Sequence, residues 1–160
     1  MITGQVGLIP QDGYWFSRLI AWVTGSQYTH IVVAINENQC VSAEPGGARV
    51  RPISFYPGIV WSRYPLRTWQ RRRIVRYAVS RIGTPYATAD FIAAGIAIIT
   101  RTRTPDWLAA YVEDDERLIC SQLCDLALQA GNIHVFHDYR PAGAVVPSSF
   151  EKVFRARGWL

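Results

Sequence analysis

The sequence predicts one α+β domain spanning residues 1–160, a small antiparallel sheet with several helices packed on it. Three observations predict it. The chain has 160 residues, 49% of them hydrophobic and 18% charged, an ordinary globular balance for one core. Two short β-branched runs, "THIVVAI" and "QCVSAE", flank the turn Asn36-Glu37-Asn38, which reads as a hairpin. Longer segments of helical period, "TWQRRRIVRYAVSRIG" and "LICSQLCDLAL", follow them.

Taken in order, residues 14–25 read as a short helix with Trp15, Leu19, Trp22 and Val23 on one face and Gly25 at its end. Residues 29–35 form a strand and residues 39–44 the returning strand, broken by Pro45-Gly46-Gly47. "ARVRPI" reads as a third strand and "IVWSRYPL" as a fourth. Residues 68–83 are a helix, with Thr68 as N-cap and Gly83 as the C′ residue. "ATADFIAAGIAIIT" is a further helix, "TRTRTPDW" a loop, and residues 105–112 a second short helix. A helix from Cys120 to Ala130 follows, closed by Gly131-Asn132, with Gly131 at C′. A short strand at residues 144–146 and the small helix "SSFEKVFRARG" end the chain.

Composition narrows the function. The net charge is +5, and of the 17 basic residues only Lys152 is lysine. A basic surface favours anionic partners without choosing among nucleic acid, anionic lipid and cell-wall polymer. Three cysteines are an odd number, in a chain too large to need disulfide staples, and are expected to be reduced. "MITGQVGLIP" has neither a basic n-region nor a long apolar core, so a signal peptide is not expected. The longest apolar run, residues 91–99, falls short of the roughly 20 residues of a spanning helix. The chain is expected to be cytoplasmic, or delivered outside a cell by a phage particle or lysis system.

The thiols of "LICSQLCDLAL" admit three readings. Free cysteine is among the most buried residue types, so Cys120 and Cys124 fit a core. Cys120, Cys124, His134 and His137 also make C-x3-C-x9-H-x2-H, but the spacing departs from common zinc fingers, and no metal or other cofactor is expected. Third, a cysteine at a helix N-terminus meets unpaired N–H groups and the positive end of the dipole. Both favour thiolate and suit an oxyanion, so Cys120 is expected to ionise below the free-thiol pKa of about 8.5. Cys124, one turn deeper, lacks these advantages.

A nucleophile needs a base. His134 and His137 follow Cys120 by 14 and 17 residues, and the helix consumes most of that length. They read as surface loop residues. His30 begins an otherwise apolar strand. If Asn36–Asn38 is a three-residue loop, opposed positions sum to 74 and His30 lies across from Glu44, at about 4.5–5.5 Å between Cβ atoms. Glu44 then orients the imidazole. A two-residue loop puts Glu44 on the wrong face. Cys40 shares the His30 face but pairs near Ala34, about 13 Å along.

The order His30, Glu44, Cys120, with "YTHIVVAI", "CVSAEPGGARVRPI", "RIGTPYATADF", "LICSQLCDLAL" and "AVVPSSFEKVF", resembles the circularly permuted branch of the NlpC-type papain-like cysteine hydrolases, which includes YiiX-like and lecithin–retinol acyltransferase-like proteins. The resemblance implies a barrel-like sheet with the Cys helix packed against it. It also implies Cys120 as nucleophile, His30 as base, Glu44 as the orienting residue, and Ser121 and Tyr28 near the oxyanion or substrate. Residues 91–116 have no counterpart in the family pattern.

The expected activity is amide-bond hydrolysis, with peptidoglycan stem peptide as the leading substrate and an anionic wall or membrane surface, or other virion proteins, as partners. An acyltransferase or lipid hydrolase, with residues 91–99 as an acyl groove, is the first rival. A non-enzymatic nucleic-acid module built on Arg71, Arg72, Arg73, Arg76 and Arg81 is the second, although such a cluster is more often the solvated face of a helix.

Overall fold

Short β-branched runs carry the sheet. The computed structural model describes residues 1–10, 27–44, 46–85, 120–136, 145 and 147–160. Its strands are β1 (Val6–Pro10), β2 (Tyr28–Ala34), β3 (Gln39–Glu44), β4 (Gly47–Pro52) and β5 (Val60–Trp61). They pair antiparallel in the order β4-β3-β2-β1-β5. The α+β class and the small antiparallel sheet are as expected. The sheet is open among the described residues, with β4 and β5 as its edges.

β1 is an element the sequence reading overlooks, because a five-residue run holding glycine and proline gives a weak strand signal. Both residues have a tertiary reason. A Cβ on Gly7 would stand 2.8 Å from the Trp61 ring, so glycine lets β5 lay its indole over β1. Pro10 lies at the irregularity that ends the β1–β2 ladder, where a missing N–H costs little. The expected fourth strand shrinks to the two residues of β5.

The β2–β3 hairpin has the three-residue loop and the register expected. Val33 opposes Val41 and Ala34 opposes Cys40, and Asn36 Oδ1 accepts the N–H groups of Asn38 and Gln39 at 2.8 Å each. The ladder covers only those two pairs, whereas β3–β4 pairs along six. Towards its N-terminal end, therefore, β2 parts from β3.

Alternation gives the sheet two unlike faces. Val6, Leu8, Ile31, Val33, Val41 and Ala43 join three helices in the main core. The helices are α1 (Thr68–Ser80), α2 (Cys120–Ala130) and α3 (Pro147–Ala156). Phe150 and Phe154 of α3 are buried there, stacked edge-on at 5.6 Å between ring centroids. The other face carries a small cluster of Ile9, Val32 and Cys40, partly roofed by Ile53, Tyr56, Ile59 and Trp61.

Three boundary expectations change. The N-cap of α1 is Arg67, whose N–H reaches Gln70 Oε1 at 2.9 Å, so Thr68 is the first helical residue. Helix α1 ends at Ser80, and Gly83, at φ 89°, donates its N–H to Ala48 O of β4. After α2 the left-handed residue is Asn132, at φ 57°, not Gly131. Gly131 is small for another reason: a Cβ there would lie 2.9 Å from Ile74 Cγ1 of α1. The expected helices at residues 14–25 and within residues 86–112 lie outside the described residues, as do Pro45, the segment 91–99 and His137. The expected strand at 144–146 lies outside them except for Val145, which is not in a strand.

Candidate active site

Cys120 is the first residue of α2 and is 1% exposed. Hydrogen-bond alternation along β2 turns the Ile31 N–H towards β3, on the stretch where that ladder has ended. The sulfur lies near this N–H from the helix-covered side of the sheet. Burial pushes the Cys120 thiol up to about 12, opposed by hydrogen bonding from the backbone N–H groups of Ile31, Ser121 and Cys120 itself. The expected thiolate-favouring donors are thus in place, but desolvation outweighs them and reverses the expected direction. In the resting state the group is a thiol.

Ile31 directly follows His30, so the strand that supplies the imidazole also supplies an N–H to the sulfur. The ring is half-buried on the second face of the sheet. Its Nε2 lies 2.8 Å from Ser42 Oγ. Glu44, expected to meet the ring directly, is reached through hydroxyls. Tyr56 Oη lies 2.8 Å from Ser42 Oγ and 3.0 Å from Glu44 Oε2, and the direct Ser42–Glu44 contact is longer, at 3.4 Å. The cause is the short β2–β3 ladder: past Val33–Val41 the opposed positions separate, and the ring reaches diagonally to Ser42.

Two arginines hold Glu44. Arg51 Nε donates to Oε1 at 2.9 Å and Arg51 Nη2 also contacts that oxygen. Arg49 Nε lies 3.3 Å from it. Burial alone raises the carboxyl's pKa, but hydrogen bonds from Arg51 and Tyr56, with the two guanidinium charges, bring it below the usual carboxylate value. Burial, first, and then the neighbouring carboxylate push the Tyr56 phenol up, despite the Ser42 hydrogen bond. Tyr56 sits just past the 3-10 turn Ile53–Phe55, its ring 5.8 Å from that of His30.

The other expected residues divide. Ser121 is buried and its Oγ donates to Val145 O, so its hydroxyl anchors α2 and only its N–H faces the sulfur. Tyr28 is 5% exposed and belongs to the same core cluster as Cys120. Cys124 is fully buried, its pKa raised by desolvation and neighbouring negative groups, as a packing thiol should be. Cys40 pairs with Ala34 as expected, and burial pushes its thiol up to about 12. His134 is exposed, and no metal-ligating cluster occurs among the described residues. No described helix is long and apolar enough to cross a membrane.

Sequence reasoning missed Ser42 and Tyr56. Ser42 was within reach, since Cys40, Ser42 and Glu44 alternate onto one face. Tyr56 had no such signal, because the turn in "ISFYPG" carries it there. Comparison with known proteins adds no identity: no protein-family model matches the chain, and no curated protein matches it.

Proposed function

We propose that the protein is a thiol hydrolase of amide bonds, with the permuted papain-like arrangement that its motif order resembles. One observation carries the reading: the thiol at the head of α2 lies beside the backbone N–H of Ile31, the neighbour of His30, whose ring is tied through hydroxyls to a carboxylate paired with two arginines. Because the resting thiol is protonated, His30 acts as general base at the moment of attack. Substrate entry opens the packing around Cys120 where β2 has left β3, the Sγ–H proton passes there to the imidazole of the other face, an S–C bond forms to the substrate carbonyl, and the carbonyl π pair moves onto oxygen. The N–H groups of Cys120 and Ser121 are the donors that hold that oxyanion.

Collapse breaks the C–N bond, and the imidazolium returns the proton to the leaving amine. Water then gives a proton to His30 and its oxygen to the acyl carbon. The C–S bond breaks and the thiol is restored. Cys120 is buried, so the substrate displaces part of the packing around it. Peptidoglycan stem peptide is the proposed substrate, consistent with the net charge of +5 and an anionic wall.

Mass spectrometry of cell-wall fragments incubated with the protein tests this. New amine and carboxyl termini should appear with wild type and be absent with Cys120→Ala. Unchanged fragments alongside cleavage of lipid esters would replace the substrate and keep the nucleophile. Fragment cleavage that survives Cys120→Ala would overturn the mechanism.

A further inference from the structure

We infer that Ser42 and Tyr56 are positioning residues that order a one-way chain of hydrogen bonds from His30 Nε2 to Glu44, and so set Nδ1 as the nitrogen that exchanges protons. This deepens, and for its catalytic consequence rests on, the thiol-hydrolase reading.

The number of available protons fixes the direction of each bond. Three contacts of 3.0 Å or less join four groups: His30 Nε2 to Ser42 Oγ, Ser42 Oγ to Tyr56 Oη, and Tyr56 Oη to Glu44 Oε2. Each needs one proton between its heavy atoms, since two lone pairs facing at that distance repel. An ionised carboxylate supplies none, and each hydroxyl supplies one. The two hydroxyl protons fill two contacts, so the third must come from the ring.

Glu44 accepts only, so Tyr56 donates to it, Ser42 donates to Tyr56, and His30 Nε2–H donates to Ser42. If Ser42 instead donated to Nε2, one of the other two short contacts would hold no proton. The longer Ser42–Glu44 contact, at 3.4 Å, does not change the count, because a serine proton spent there is also unavailable to the ring. The neutral ring therefore carries its hydrogen on Nε2 and offers Nδ1 as the base.

The carboxylate that sets this polarity faces Arg49 and Arg51 from β4, Tyr56 from the turn beyond it, and Cys40 along its own strand. Ser42 is wholly buried, so its hydroxyl has a definite structural reason to be there. Burying a hydroxyl without partners is unfavourable, and His30, Tyr56 and Glu44 provide them.

Nitrogen-15 NMR of the histidine rings in the full-length protein tests the chain without using activity. Wild-type His30 in its neutral form should show its ring hydrogen on Nε2 and not on Nδ1. Ser42→Ala should mix the two tautomers, and Ser42→Thr should restore the wild-type pattern. Tyr56→Phe should keep Nε2–H, through Ser42 donating to Glu44. On the proposed substrate, Ser42→Ala should lower kcat on the order of 10-fold with little change in KM.

Hydrogen on Nδ1 in the wild type would overturn the inference, as would a tautomer indifferent to Ser42→Ala. The wild-type spectrum decides even if Ser42→Ala fails to fold. Cleavage separates this from the parent reading: fragment cleavage that survives Cys120→Ala would sink the hydrolase, while the ring spectra still decide the chain.

Discussion

The two faces of the sheet use the same strands for opposite purposes. Ile31, Val33, Val41 and Ala43 point into a dry core and are fully buried beneath helices. One residue out of phase, His30, Ser42 and Glu44 point the other way, into hydrogen bonds and ion pairs. Cys120 belongs to the first face by packing, yet its sulfur meets backbone N–H groups where β2 has left β3. The contrast teaches that a reactive group needs both environments. Packing fixes its position, and a break in the ladder frees the polar backbone that chemistry needs.

The largest effects should come from joining or separating the two faces. His30→Ala and Cys120→Ser should each lower amide hydrolysis on the order of 10²–10⁴-fold while the circular-dichroism spectrum stays native. A His30→Ala protein with near wild-type turnover would break the comparison, because the polar face would then serve structure alone.

Next comes a change confined to the dry side. Gly131→Ala should cost about 1–3 kcal/mol in a denaturant titration, because the new Cβ meets Ile74 at 2.9 Å and the helices must shift. Turnover measured well below the midpoint should not change. An unchanged midpoint would show that α1 and α2 can move apart freely.

The polar face should respond more mildly and with pH. Glu44→Gln should lower turnover on the order of 10-fold, less than His30→Ala, since an amide still accepts a hydrogen bond but cannot balance an imidazolium. The paired arginines and Tyr56 hold the Glu44 carboxyl below its ordinary value of 4.5 in the folded protein. Its contribution to stability is therefore present above 4.5 and lost as pH falls through the lowered folded value. Acid titration of unfolding should show this component in wild type and not in Glu44→Gln. Identical acid profiles would mean that the pairing with Arg49 and Arg51 adds no net stability.

The smallest effect sharpens the helix boundary. Asn132→Gly should be neutral or stabilise by up to about 1 kcal/mol, because glycine adopts φ 57° without a Cβ penalty. Clear destabilisation would show that the Asn132 side chain contributes more than its backbone angle suggests.

Much of this arrangement was legible in local pattern. Alternation in "THIVVAI" and "QCVSAE", with Asn and Glu between them, pointed to two strands and a tight turn, and of the two registers that turn allowed the structure takes the one summing to 74, seen as Val33–Val41 and Ala34–Cys40. Helical period and composition likewise determined α1, α2 and α3, with Cys120 at the start of α2. These depend on residues near in sequence, whose spacing the backbone geometry converts directly into a face.

The remaining features depend on contacts between residues far apart in the chain. Local pattern cannot say where a ladder stops, and that stop turned the His30 ring to Ser42 and left the Ile31 N–H to the sulfur. Nor can it say that Tyr56, 26 residues from His30 in sequence, closes the path to Glu44. The sign of the Cys120 shift lay beyond it too. A helix N-terminus argues for thiolate, but burial is a property of everything packed around the sulfur, and it prevails.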